Sequence, residues 1–427
     1  MKLKPYGSYS ESGVEWIGET PSHWKIYRNK EIFKERGTLS STGSEKLLTV
    51  SHITGVTLRS EKNVNMFMAE SHEGYKLCKK GDLIVNTMWA WMGALGTARE
   101  DGICSPAYGV YEPRNGIPYD HRYFDYLYRT KNAVAEMTRY SKGIVSSRLR
   151  LYPKEFFQIF TALPTEHEQN KICNHIEKLS TLVDKKIALL KKKKELYLEL
   201  IDAIISERIL KGIDDNTDFD DSGVEWIGPK PKNWKVVRVK DIAKSVNGGA
   251  FKESLSPSGI PIVKIQQLTK NTSATEFCDV NSNKIKKENK IKKGDLLFSW
   301  STLIMPFVYA GPDAVLNQHI FKIICNKDVN PNWLYFYLRH AVERLSIFSH
   351  GSTMQHILKS DFDNLEVVMP DVEMQIEIAD SLNADIKKIE LIIDNIDKQI
   401  KELVLFKDSV TADAVLGKVD LSEESVI

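Results

Sequence analysis

Ser12-Gly13-Val14-Glu15-Trp16-Ile17-Gly18 recurs without change as Ser222-Gly223-Val224-Glu225-Trp226-Ile227-Gly228. Pro21-Ser22-His23-Trp24-Lys25 then returns as Pro231-Lys232-Asn233-Trp234-Lys235, at the same offset of 210 residues. An unbroken seven-residue repeat followed by a second tryptophan anchor marks an internal duplication. Farther out, Lys79-Lys80-Gly81-Asp82-Leu83 is matched by Lys292-Lys293-Gly294-Asp295-Leu296, and Tyr126-Leu127 by Tyr337-Leu338. The 427 residues are two copies of one unit.

Between the anchors each copy reads as short β-rich runs broken by Gly, Pro, Asn and Ser, at 47–53, 81–86, 260–265 and 294–300. Lys-Lys-Gly-Asp-Leu predicts a turn feeding a strand. The aromatic stretches 119–140 and 331–348 predict helices, so each block is a mixed α/β (α+β) domain. Each copy then closes differently. After Pro164, residues 166–211 hold no Pro or Gly; after Pro370, residues 372–416 do the same, and Gly212 and Gly417 follow as stop signals. Ile176, Val183, Leu190, Tyr197 and Ile204 recur every seven residues. Leu382, Ile389, Ile396, Leu403 and Val410 lie 206 residues further on, so the seams are duplicates as well. An apolar seam is unstable on a lone helix in water. The two are expected to pair as an antiparallel coiled coil, a rod of roughly 65–70 Å with approximate two-fold symmetry. The expected division is 1–165 and 213–371 for the heads, 166–212 and 372–418 for the long helices, and 419–427 for an acidic tail.

Composition is 42% apolar and 27% charged, which excludes a mainly disordered or fibrous chain. No apolar run is long enough to span a membrane, and the first residues lack the apolar core of a signal peptide, so a cytoplasmic location is expected. Five scattered cysteines without a C-x-x-C pair argue against a disulfide framework or structural zinc. The net charge of +2 averages unlike regions: residues 1–165 carry +6, 216–371 carry +3, and 372–427 carry −7. Two basic blocks make nucleic acid a candidate partner.

Catalytic signatures are missing. Gly37 and Gly43 are six apart but lack the lysine of a phosphate loop, and Asn330-Pro331-Asn332-Trp333 lacks the second proline of an amine-methylating motif. There is no H-E-x-x-H and no G-x-S-x-G. Pro370-Asp371 superficially fits a nuclease pattern, but Asp at a helix start reads as a cap.

With its repeated S-G-V-E-W-I-G…P-x-x-W-K openings, K-K-G-D-L elements and Pro-bounded long helices, the chain resembles the specificity (S) subunit of type I restriction-modification systems over nearly its whole length. The resemblance implies two target recognition domains, each reading one half of a bipartite double-stranded DNA target. It implies paired helices that fix the gap and dock methyltransferase (M) subunits, and a motor/nuclease (R) subunit that joins the complex. It also implies no catalytic activity, cofactor or metal in this chain, with S-adenosylmethionine, ATP and magnesium on partner subunits.

Base reading needs side chains that reach base edges and cations that hold phosphate. In the first head the best stretch is 139–154, with Arg139, Lys142, Arg148, Arg150 and Lys154 around Gly143, Ser146 and Ser147. In the second it is 350–359, where Ser352, Thr353, Gln355, His356 and Lys359 form a similar polar loop. Gln318 and His319 join them, with Asn86, Trp89, Trp91, Trp300 and Asn317 as lesser candidates. Ile176, Val183, Leu190, Tyr197, Leu382, Ile389, Ile396 and Leu403 are the expected coiled-coil or partner interface. A different reading makes the chain a coiled-coil scaffold whose heads bind proteins. Divergence between the heads, greater than between anchors or helices, favours two recognition surfaces.

Overall fold

A computed structural model of the chain describes residues 4–62, 71–145, 148–214, 217–270, 272–347 and 356–421. They form two compact units, Met1–Leu190 with Lys398–Ile427, and Lys191–Asp397. The boundary between the units falls inside both long helices, Glu166–Lys211 and Val372–Val415.

The first unit is built on a four-stranded antiparallel sheet of β1 (Phe33–Glu35), β2 (Leu83–Asn86), β3 (Leu95–Thr97) and β4 (Tyr108–Pro113), in the order β1-β4-β2-β3. In the second unit β5 (Ala243–Asn247), β6 (Leu296–Ser299), β7 (Met305–Val308) and β8 (Ile320–Cys325) run in the equivalent order β5-β8-β6-β7. Outside these sheets, Lys25–Arg28 pairs with Phe160–Leu163, as Lys235–Arg238 pairs with Glu366–Met369. The duplication read from the anchors therefore extends to topology.

The identical heptapeptide is a turn. It joins the hairpin strands Tyr9–Glu11 and Glu19–Pro21, and its copy joins Phe219–Asp221 and Pro229–Pro231. Gly13 and Gly18, like Gly223 and Gly228, have φ between 66° and 71°, a conformation costly for any residue with a Cβ. The first tryptophan of each copy ties the turn to the head: Trp16 donates to the Phe160 carbonyl at 3.1 Å and Trp226 to Glu366 at 3.2 Å. The second tryptophan receives a helix end. A Cβ on Gly417 would sit 3.0 Å from the Trp24 ring, and one on Gly212 3.2 Å from the Trp234 ring. Both glycines have left-handed φ, so they stop the long helices and also admit the indole.

Lys-Lys-Gly-Asp-Leu is the expected turn. The Asp82 carboxylate accepts from the Lys79 amide at 2.7 Å, and Asp295 from Lys292 at 2.8 Å, with strands beginning at Leu83 and Leu296. The aromatic stretches depart from expectation, because each is two helices. The first divides into His121–Tyr128 and Lys131–Tyr140, where the Thr130 hydroxyl accepts from the Ala133 amide and starts a new helix. The second divides into Pro331–His340 and Val342–Ile347.

Both long helices enter both cores. Ile172, Cys173 and Ile176 join Ala414, Val415 and Leu416 in the first unit's main core, and Leu421 is buried there too. In the second unit Ile201, Ile205 and Ile209 share a core with Ile378, Ala379, Leu382, Ile386 and Ile389. Lys407 pairs with Asp184 in the first unit. In the second, Arg208 pairs with Asp385 and Lys194 with Asp397, so residues advance along one helix as they retreat along the other. Asp371 accepts from the Met374 amide at 2.8 Å, the cap its position predicts.

Candidate nucleic-acid interface

In the first head Lys142 and Arg150 exchange both backbone hydrogen bonds at 2.8 Å and close a hairpin. Its base is anchored: Leu151 is buried and its amide donates to the Thr87 carbonyl, just beyond β2, at 2.9 Å. Lys142, Arg148 and Arg150 are exposed and have no ion-pair partner among the described residues. Unpaired, solvated cations on a fixed hairpin are available to phosphate or to base edges. Arg139 is committed elsewhere, to both oxygens of Glu136 at 2.6 and 2.7 Å and over the Tyr140 ring. Lys154 is exposed at the start of the short helix Pro153–Phe156. Ser146 and Ser147 lie outside the described residues.

Trp89 is 47% exposed and stacks on Trp91 with centroids 6.3 Å apart. Asn86 is only 8% exposed, and its side-chain oxygen accepts from the Met88 amide, so it shapes the turn beneath the tryptophans.

The second head repeats the anchoring bond. The Ile357 amide donates to the Trp300 carbonyl at 3.0 Å, as Leu151 does to Thr87. Ser352, Thr353 and Gln355 lie outside the described residues. His356 pairs by backbone with Ser301, beside Trp300. The Trp300 ring lies between His319, at 5.4 Å, and Phe321, at 5.9 Å. Gln318 is exposed and 3.3 Å from the His319 ring, and the His319 amide donates to the Asn317 side chain. These residues thus gather around one strand end. The Lys359 ammonium is paired with Asp363 one helical turn on.

On the helices Ile176, Val183, Leu382, Ile389 and Ile396 are buried, and Leu190, Tyr197 and Leu403 are half-buried. Leu182, Leu189, Leu196, Leu391 and Leu405 point into solvent, with Leu189 69% exposed.

Spacing did not single out a pair of buried glutamines. Gln169 donates to the Pro118 and Pro164 carbonyls and accepts from the Asp120 amide at 2.7 Å. Gln375 does the same with Asp328, Pro370 and Asn330. Pro-x-x-x-x-Gln, repeated at Pro164 and Pro370, was the available signal. Asn330 itself caps a helix, accepting from Asn332 and Trp333, which gives Asn-Pro-Asn-Trp a structural purpose.

Burial pushes the Cys325 thiol up to about 11 and the Cys173 thiol higher still. Among the described residues no cluster of three or more His, Cys, Asp or Glu is arranged to hold a metal ion, and no helix is long and apolar enough to cross a membrane.

The two heads share one strand order, and in each a backbone bond, from Leu151 or Ile357, ties the chain to the residue just past the equivalent strand. Residues 231–402 match the family model of the type I restriction modification DNA specificity domain. The chain is 23% identical over 441 residues to the type I restriction enzyme MjaIX specificity subunit of Methanocaldococcus jannaschii, covering 95% of this chain and 96% of that one. It is 21% identical over 204 residues to the StySPI specificity subunit of Salmonella potsdam, 44% of each chain. The fold resembles the HsdS subunit from Thermoanaerobacter tengcongensis, with TM-score 0.54 and 17% identity over 96% of this chain and all of that one. A chain from a structure described as the basis of complex assembly and conformational transition of the type I R-M system gives TM-score 0.68 and 16% identity over 93% and 98% of the two chains. The family model and the curated relatives point to a type I restriction-modification specificity subunit, and the two solved structures share its fold.

Proposed function

We propose that the chain recognises a bipartite DNA target, each head reading one half. The observation that carries this is a paired anchor, Leu151 on Thr87 and Ile357 on Trp300, at equivalent ends of equivalent strands and following stretches of unlike sequence. Equal scaffolds with unlike loops suit unlike half-sites. Lys142, Arg148 and Arg150, with Ser146 and Ser147, are assigned to the first half. Ser352, Thr353, Gln355, His356, Gln318 and His319 are assigned to the second, with Lys359 contributing once Asp363 releases it. The domain division is 1–165, 166–212, 213–371, 372–418 and 419–427.

The long helices act as an antiparallel coiled coil that sets the distance between half-sites. The seam residues carry the pairing. The exposed leucines at heptad spacing offer methyltransferase subunits an apolar docking face in each unit. S-adenosylmethionine, ATP and magnesium belong to the methyltransferase and motor/nuclease subunits in this reading, and the complex works in the cytoplasm. To test it, the assembled complex is bound to duplexes in which one or the other half-site is scrambled. Loss of specific binding in both cases supports two readers. Equal binding to all duplexes defeats the proposal and favours heads that bind proteins.

A further inference from the structure

The first head's hairpin carries more than cations. Ile144 is fully exposed, at 105% of its reference area, and Val145 is 52% exposed. An Ile side chain wholly in water gains nothing from burial in this chain, and Val145 gains only in part. Their support, by contrast, is firm. The Arg148 amide donates to the Val145 carbonyl at 2.8 Å, and Lys142 and Arg150 close the stalk. A Cβ on Gly143 would meet the Arg148 carbonyl oxygen at 2.8 Å, so the stalk is narrow. At its base Ser141 is buried and its hydroxyl donates to the Met137 carbonyl at 2.7 Å. Ile144 and Val145 thus lie exposed next to a stalk held by the Lys142–Arg150 bridge.

The surrounding charge selects the occupant. Between Glu136, which holds Arg139, and Glu155 the chain has no carboxylate, and Lys142, Arg148, Arg150 and Lys154 are all exposed. Phosphates flanking a base-pair step present the complementary pattern, anionic on both sides of an apolar stack. Proteins that insert aliphatic side chains between stacked bases use this combination, unstacking a step while cations hold the backbone. We propose that Ile144 and Val145 form a wedge that enters a base-pair step in the half-site of the first head. This rests on the DNA-recognition reading and adds to it indirect readout. Steps that unstack easily, such as TA or CA, are preferred at the wedge even without a base-edge contact.

The test uses the full chain assembled with its methyltransferase and a duplex with 2-aminopurine scanned through the first half-site. Apart from the adenine that the methyltransferase itself extrudes, the wild-type complex is expected to raise fluorescence at one further step. Ile144→Ala/Val145→Ala abolishes the rise, while the exposed tip leaves folding unchanged by circular dichroism. A mismatch at that step prepays unstacking, so it should tighten wild-type binding about tenfold and leave the double variant unaffected. Arg148→Ala serves as control, weakening binding but keeping the fluorescence rise. Specific binding with no further brightened step, and a double variant as tight as wild type, overturns the wedge alone. Failure of the wild-type complex to bind any half-site duplex overturns the recognition reading beneath it. Preference of the wild-type chain for anionic vesicles over duplex overturns the wedge in favour of a membrane surface.

Discussion

Gln169 and Gln375 each close one helix start onto its own head, with all side-chain bonds made away from water. Gln375→Ala leaves the Asn330 amide and two carbonyls unsatisfied, and urea unfolding should show a loss of about 1–3 kcal/mol from the second unit. Gly417→Ala has a different cause. Its φ of +72° costs a Cβ-bearing residue ~1–2 kcal/mol, and Pro21, 2.5 Å from the added carbon, must also give way. Arg148→Ala should leave folding untouched and weaken the first half-site only, by ~1–3 kcal/mol if the guanidinium grips a base; equal weakening on all sequences would make it a phosphate contact. The repeated anchors were plain in the sequence, but where their tryptophans pack was not. Trp24 receives Gly417 from the far end of the chain, and no local pattern encodes such a meeting.

At the scale of elements, the long helices were legible because their heptads are periodic and free of breakers. The division of 119–140 was not, since it turns on one hydroxyl, that of Thr130, capping within a continuous aromatic run. Nor did the sequence show that helix ends belong to the head cores; the blocks 1–165 and 213–371 looked complete, yet Ile176 and Ile205 pack inside them. One helix-to-head contact carries a pH dependence. His340 lies 2.8 Å from the Ser206 hydroxyl on the first long helix and stacks on Trp226. Burial holds its imidazole below the usual 6.5, against a smaller pull from Glu343. A depressed histidine favours the folded state when neutral. The second unit should therefore keep its full stability above about pH 6.5 and lose it as pH falls toward the folded-state value. His340→Gln should flatten thermal stability between pH 5 and 7; an unchanged slope would assign the loss to other groups.

For the whole molecule, the near-zero net charge concealed two basic heads and an acidic distal helix, and dividing it by the repeat restored its meaning. The candidate loops were found from cations and small polar residues. The gathering of Trp300, His319 and Ser301 with His356 needed the fold, because the strand end that collects them lies far from the loop in sequence. If the helical pair is a ruler, seven residues added to each helix lengthen it by ~10 Å. The tolerated gap should then grow by about three base pairs. The central claim is that one chain reads two separated half-sites, and methylome sequencing of cells carrying this chain with an active methyltransferase partner tests it most directly. The account predicts a single reproducible motif of two specified blocks separated by a fixed unspecified gap. A contiguous motif, or no modified motif with the partner active, would contradict it.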